Sequence, residues 1–116
     1  MASENKDETP ERAVRQFLRA IGRRAIDDHV ERVVQFLARL HSCGMTPETE
    51  MGFRLIVQAW RNSGQTDAQA RETAQIQLAV MVADGDLQIG ENLLLVTEQG
   101  RLWLEREAKA GRGNAN

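Results

Sequence analysis

The chain of 116 residues is 41% hydrophobic and 28% charged, which suits one domain with a hydrophobic core. No apolar run approaches the roughly 20 residues that span a bilayer, and the polar, acidic N-terminus lacks the pattern of a secretory signal. The single cysteine, Cys43, excludes an internal disulfide. These features predict a cytoplasmic protein, and the preference for arginine over lysine is typical of a GC-rich bacterial sequence.

Positive charge is concentrated in one segment of the chain. Residues 1–11 carry one lysine against four acids, for a net charge of −3, whereas residues 12–44 carry seven arginines against three acids, for +4. Residues 45–116 carry seven bases against ten acids, which again gives −3. A nucleic-acid partner requires a basic surface. By composition, only the second segment offers one.

Two amphipathic helices are predicted after a disordered tail at residues 1–8. Thr9 can cap the first helix, with Pro10 at its first position and Glu11 at the positive end of the helix dipole. Its apolar residues recur at helical spacing until Gly22, and a second stripe follows to Leu40. The two stripes consist of Val14, Phe17, Leu18 and Ile21, and of Ile26, Val30, Val33, Val34, Leu37 and Leu40.

Two further helices are predicted in the middle of the chain. Thr46-Pro47-Glu48 begins one, Asn62-Ser63-Gly64 ends it, and Thr66 or Asp67 caps the next. The apolar run at residues 78–83 fits a buried strand by periodicity alone, but its alanine and methionine content favours the end of a helix. The buried side of the third helix is expected to carry Met51, Phe53, Ile56, Val57 and Trp60.

The pattern changes after Asp84-Gly85. Residues 87–89 alternate between apolar and polar, residues 90–92 are turn formers, and residues 93–96 are apolar, which together predict a small β-hairpin. Thr97 is expected to cap a last helix, and residues 109–116 are expected to form a flexible tail. The predicted fold is therefore mainly α with a small β-hairpin, in a single domain of residues 9–108.

The stretch from Asp84 to Glu105 resembles the C-terminal part of a winged helix-turn-helix domain. In that family a helix ends near a glycine, a two-stranded wing comes next, and its second strand runs into a Thr-Glu-x-Gly-Arg-type helix start. The corresponding positions here are Gly85, the two predicted strands, and Thr97-Glu98-Gln99-Gly100-Arg101. Thr97 would satisfy N–H groups of the last helix, and Gly100 would let its first turn pack closely on the wing.

The resemblance covers about residues 46–108 and implies a winged-helix-like domain with one or two added N-terminal helices. Its helix-turn-helix would consist of residues 53–61, a turn at 62–65 and the helix from Thr66. That second helix carries only one base, which two acids balance, so counterion release at its surface is expected to be small. The residues that the resemblance would direct into a DNA groove are Gln65, Gln69, Arg71 and Thr73.

A second candidate surface is a run of arginines on the first helix. Their spacing of three, four and four places them along one side of the helix, with one more arginine beside them. This stripe is interpreted as a contact for DNA backbone or for an acidic protein surface, and the alternative is a solvated helix face. Its members are Arg12, Arg15, Arg19, Arg23 and Arg24.

The sequence predicts neither an enzyme nor a bound cofactor or metal. His29 and His41 are twelve residues apart on one predicted helix, or about 18 Å at 1.5 Å per residue, which is too far for one metal ion. Asp84-Gly85-Asp86 is followed by Gln88 and Gly90 instead of further calcium ligands, so it is interpreted as a turn. Cys43 has only His41 nearby as a potential base.

These patterns lead to three functional hypotheses. The leading one is a small bacterial DNA-binding or DNA-associated transcriptional regulator, expected to be a homodimer on double-stranded DNA. The second is a protein-interaction module on the same fold, an adaptor or inhibitor that binds a partner with an acidic surface and does not bind DNA. The third is an accessory subunit of a larger complex.

Overall fold

The computed structural model describes residues 9–22 and 27–114. It confirms the predicted mainly helical fold with a small β-hairpin, and it adds a third short strand. The disordered tail predicted at residues 1–8 lies outside the described residues. In chain order the elements are α1 (Pro10–Ala20), α2 (Asp27–Leu40), β1 (Gly44–Met45), α3 (Pro47–Asn62), α4 (Asp67–Asp84), β2 (Leu87–Gly90), β3 (Leu93–Val96) and α5 (Glu98–Asn114).

Helix α1 is an integral part of the core. Thr9 caps it by accepting a hydrogen bond from the backbone N–H of Arg12, at 3.1 Å, as predicted. Val14, Phe17 and Leu18 are buried, and they pack with apolar residues of α2 and α4 in one cluster. The apolar stripe of α1 is therefore covered within the chain.

Helix α4 is the central helix of the domain. Thr66 and Gln69 form a capping box at its start, which satisfies two backbone N–H groups. Its second half is largely buried, because one side contacts the α1 and α2 cluster and the other contacts α3 and the sheet. The apolar run at residues 78–83 is thus helical, as predicted, whereas the first two turns of α4 are mostly exposed.

The sheet has three strands in the order β1-β3-β2. β2 and β3 form the predicted antiparallel hairpin, and Glu91 and Asn92 at its tip have positive φ angles of 43° and 68°, as a type I′ turn requires. β1 pairs with β3 in parallel. It was not predicted, because a strand of only two residues, Gly44 and Met45, has no alternation to detect.

Helix α5 begins where predicted and ends later. The hydroxyl of Thr97 accepts a hydrogen bond from the backbone N–H of Gly100, at 3.1 Å, so Thr97 is its N-cap. The helix continues to Asn114, which corrects the predicted end at residue 108. Glu107, Ala108 and Lys109 favour helix, and the two glycines beyond them do not end it. Among the described residues, no helix has both the length and the apolar character needed to cross a bilayer.

Candidate functional site

A short turn with a glycine joins α3 to α4. It spans residues 63–66, and Gly64 has a φ of 109°, which a side chain would disfavour. The backbone N–H of Gln65 donates to the carbonyl of Trp60, at 3.2 Å, and this bond closes the turn. The indole N–H of Trp60 donates to Gln77 on α4, at 2.9 Å. The two helices are therefore held together both at the turn and along their contact.

A groove of ≈ 610 Å³ lies between α3 and the first turns of α4, and we call it the α3/α4 groove. Three arginines and two acids line it together with apolar side chains. Arg54 pairs with Glu50 at 2.8 Å. Asp67 pairs with Arg71 at 3.0 Å and lies 3.8 Å from Arg61. The Asp67 carboxylate thus lies close to the guanidinium groups of both Arg61 and Arg71. Because three arginines and two acids line the groove, its net charge is +1. Its lining residues are Met45, Glu50, Phe53, Arg54, Val57, Gln58, Arg61, Asp67 and Arg71.

A second groove, of ≈ 390 Å³, lies on the other side of α4 against α1, and we call it the α1/α4 groove. Its floor includes Phe17 and Trp60, whose ring centroids are 5.7 Å apart. Gln65 in the turn and Gln69, Glu72 and Thr73 on α4 line the wall opposite α1. The four residues predicted to enter a DNA groove therefore lie in two different grooves of the protein. Arg71 faces α3, and the other three face α1.

Three of the polar residues that line the α1/α4 groove were predicted to contact DNA, and they differ in how much of their hydrogen-bonding capacity remains free. The other two are Gln16 and the exposed acid Glu72. The side-chain oxygen of Gln69 accepts from the backbone N–H of Thr66, at 3.0 Å, so it is already used in the capping box. The side-chain oxygen of Gln65 is buried and has no hydrogen-bond partner among the described residues. Thr73 lies one helical turn beyond Gln69 on α4 and is half-buried. Gln69 is the most exposed of the three, and its amide group is best placed to reach a ligand.

The arginine stripe of α1 is not uniform. Arg12 and Arg19 are exposed and form no ion pair with a described residue. Arg15 instead contacts Asp27 at 2.9 Å and Glu11 at 3.4 Å, and these hydrogen bonds, that to Asp27 above all, raise the pKa of Arg15. Its charge is therefore already compensated. Asp27 belongs to α2, so the sequence of α1 by itself could not reveal this pairing.

Two of the predicted stripe residues, Arg23 and Arg24, lie outside the described residues. Two other arginines that the sequence patterns did not single out, Arg54 and Arg61, line the α3/α4 groove. Their spacing of seven residues places them on one side of α3, two turns apart. That spacing is the signal that could have identified them, but only with the knowledge that α4 packs beside this side of α3.

The hairpin region has the opposite charge. Residues 84–100 contain four acids and no lysine or arginine. Asp86 is buried, and the side-chain amide of Gln99 donates to its carboxylate. At the hairpin surface, Leu93 and Leu95 are exposed on the outer side of the sheet. The hairpin region is therefore acidic, with exposed apolar side chains.

The residues that carry the winged-helix resemblance form a close joint between α4, the hairpin and α5. The hydroxyl of Thr97 lies 2.7 Å from the carbonyl oxygens of both Gly85 and Asp86, to which it donates. A Cβ on Gly100 would overlap the carbonyl of Asp86, so this position needs glycine. Gly85 has a φ of 93°, in the left-handed region, and ends α4. These contacts bear out the predicted cap and close packing.

In the part of the chain that the structure describes, no group of three or more His, Cys, Asp or Glu side chains is arranged to hold a metal ion. His29 on α2 lies 3.9 Å from Asp84 at the end of α4. Cys43 is half-buried just before β1.

Comparison with known proteins found no matching family model, no matching curated protein and no matching solved structure.

Proposed function

We propose that this protein is a small DNA-associated transcriptional regulator with a winged-helix-like domain, working as a homodimer in the bacterial cytoplasm. The observation that carries the proposal is the α3-turn-α4 corner, in which the exposed first turns of α4 stand between two grooves. Arginines line one of the grooves, and the other is bounded by α1, which carries the exposed Arg12 and Arg19. A four-residue turn containing glycine is typical of helix-turn-helix units, in which the second helix enters the major groove.

The elements on the C-terminal side of α4 also support the proposal. A two-stranded hairpin and a capped helix come directly after α4, joined by the Thr97 and Gly100 contacts. This order of elements is the one that the resemblance implies for residues 46–108. Fold by itself does not determine function. DNA binding is therefore inferred also from the charged residues at the corner.

Each side of the corner has a distinct role in this proposal. Arg54, Arg61 and Arg71 in the α3/α4 groove contact phosphates, since guanidinium groups bind them through paired N–H donors. Arg12 and Arg19 on α1 contact phosphates on the other side. Between the two sets of arginines, the amide of Gln69 reaches base edges, as glutamine does at adenine. The other two predicted DNA-contacting residues of the α1/α4 groove, Gln65 and Thr73, are half-buried and position the bound strand.

The acids at the corner set the expected strength of binding. Each phosphate contact contributes about −0.9 to the slope of log K against log salt. Because Glu50 and Asp67 already pair with the groove arginines, we expect few net contacts and a shallow slope. Binding to random duplex DNA should therefore be weak and should disappear at moderate salt.

The test is a salt titration of binding to random duplex DNA, followed by fluorescence anisotropy. The double variant Arg61→Ala/Arg71→Ala should weaken binding and flatten the salt slope by up to ~2. Arg39→Ala is the matched control, because Arg39 is an exposed arginine in the last turn of α2 and lines neither groove. If the chain does not bind DNA at low salt, or if the control weakens binding equally, the proposal is wrong.

A second candidate function is a protein-interaction module, and the hairpin favours it. The four acids of residues 84–100 would repel DNA phosphates, whereas the exposed Leu93 and Leu95 suit a protein contact. Under this alternative the partner would present a basic surface with an apolar centre to the wing, and an acidic surface would be bound by Arg12 and Arg19. Absence of DNA binding at low salt in the titration above would favour it.

A further inference from the structure

Helices α3 and α5 touch near their first turns and enclose a cleft beyond that contact. Arg101 on α5 pairs with Glu48 on α3, with its Nε atom 3.0 Å from the carboxylate. One turn further along each helix, a Cβ on Gly52 would lie 3.0 Å from the Leu104 side chain, so the helices approach closely there. Past Gly52, residues of both helices line a cleft of ≈ 590 Å³.

Both tryptophans of the chain line this cleft, Trp60 from α3 and Trp103 from α5. We call it the tryptophan cleft. Each ring is half-buried and packs in part against the core cluster under the sheet, so the rest of the ring is available to the cleft. The indole N–H of Trp60 already donates to Gln77, so this ring offers a ligand its π surface. Aromatic walls of this kind favour a flat, apolar ring. Other lining residues are Ile21, Leu55 and Glu107.

A single carboxylate supplies the charge of the tryptophan cleft. Glu107 is exposed, lies one helical turn after Trp103 on α5, and forms no ion pair with a described residue. Of the described residues that line the cleft, no other carries a charge. The amide groups of Gln58 and Asn62 at its edge bind each other at 2.9 Å. The cleft therefore favours a cation, which both a carboxylate and the faces of indole rings attract.

The shape of the cleft suits a small molecule. Four elements contribute to it, namely the end of α1 at Ile21, α3, α4 at Gln77, and α5. Its volume of ≈ 590 Å³ lies within the range of about 300–1,000 Å³ that is typical of small-molecule sites. Apolar and aromatic side chains predominate in its lining, as they do in such sites. The occupant that fits this concave, aromatic and acidic site is a compact ligand.

We propose that the tryptophan cleft binds a small organic cation with an aromatic ring system. The rings of the ligand lie against Trp60 and Trp103, and its cationic group lies beside Glu107 at the exposed edge of the cleft. This site goes beyond the proposed function, and it does not depend on DNA binding.

The two grooves beside α4 fit such a ligand less well. The α3/α4 groove is lined by three arginines against two acids, so it would repel a cation. The α1/α4 groove shares Trp60 with the tryptophan cleft and has an acid of its own, Glu72. It is smaller, however, and Trp103 does not line it, whereas four uncharged polar side chains do. Glu72 therefore provides a direct comparison with Glu107.

The test is an NMR titration of the full chain without DNA, which follows the indole N–H signals of its two tryptophans. Two probes of the same shape are compared, the cation naphthylmethylammonium and the neutral naphthylmethanol. The cation should shift both indole signals with a Kd below about 1 mM, and it should bind about threefold more tightly than the alcohol. Glu107→Gln should remove this preference by weakening the cation alone. Glu72→Gln is the matched control and should leave both Kd values unchanged.

A second variant tests the aromatic wall. Trp103→Leu should raise Kd for both probes by about fivefold or more, because an aliphatic side chain replaces the indole ring. Circular dichroism verifies that this variant is folded, and the exposed Glu107→Gln provides the test if it is not. The proposal is overturned if the wild-type chain does not bind the cation, or binds it no more tightly than the alcohol. It is also overturned if Glu72→Gln weakens the cation and Glu107→Gln does not. None of these results bears on DNA binding, which the salt titration tests separately.

Discussion

The joint at residues 84–101 and the α3-turn-α4 corner differ in how their residues are constrained. At the joint, Thr97 and Gly100 make short backbone contacts that leave little choice of residue. At the corner, exposed side chains such as Arg71 and Asp67 are joined by ion pairs that other residues could replace. The Thr97-to-Arg101 motif therefore constrains the fold. The candidate function lies at the α3-turn-α4 corner, which this motif does not include.

The largest effect expected from this difference is at Gly100. Replacing it with alanine should lower the free energy of unfolding by about 3 kcal/mol or more, because the new Cβ would overlap the backbone of Asp86, which cannot easily move. Urea denaturation measures the change. Gly90→Ala is the control, since a Cβ there would meet only Leu95, at an ordinary 3.5 Å. Equal stability of the two variants would contradict the assigned role of Gly100.

A smaller loss is expected at the cap of α5. Thr97→Ala should cost about 1–2 kcal/mol of unfolding free energy, because it removes the acceptor for the Gly100 N–H and the donor to the carbonyls at residues 85 and 86. Thr97→Ser keeps the hydroxyl and should retain most of the stability. If serine and alanine destabilise the protein equally in urea denaturation, the hydroxyl is not what holds the joint.

At the corner the expected effect is on binding and not on folding. Asp67→Asn should change unfolding free energy by less than about 1 kcal/mol, since Asp67 is exposed. It should strengthen DNA binding and steepen the salt slope by up to ~1, because Arg61 and Arg71 lose their shared carboxylate. Anisotropy titrations at several salt concentrations provide the measurement. Weaker binding by Asp67→Asn would show that these arginines do not contact phosphate.

The smallest effect concerns the contact between α3 and α5. The hydrogen bond from Arg101 lowers the pKa of Glu48 below the ordinary value of 4.5. Because the folded-state pKa is depressed, the contribution of this pair to stability is fully present above pH 4.5 and is lost as the pH falls through the folded-state pKa. Arg101→Gln should return the pKa of Glu48 towards 4.5, as followed by NMR titration of its carboxyl carbon.

Arg106→Gln is the control for that titration, because Arg106 lies on the same helix without pairing with Glu48. It should leave the pKa of Glu48 as in the wild type. If Glu48 titrates at the same pH in the wild type and in Arg101→Gln, the Arg101–Glu48 contact is absent in solution.

Local patterns predicted most of the secondary structure for identifiable reasons. The starts of α1, α3 and α4 depend on Thr9, Thr46 and Thr66, whose hydroxyls accept backbone N–H groups within three residues of themselves. The hairpin was predictable from alternation and a turn. What local patterns could not supply was β1, whose pairing with β3 joins segments almost fifty residues apart in the chain.

The sequence by itself indicated the helices, apart from the end of α5, together with the hairpin and the Thr97 cap, because each is signalled by residues close together in the chain. The close packing at Gly100 was implied by the winged-helix resemblance. Only the tertiary structure decided which charges remain free. Asp27 compensates Arg15 from another helix, and the packing of α4 between α1 and α3 separates Gln69 from Arg71. Surfaces combine residues from distant segments, so their charge and shape are settled only when the helices pack.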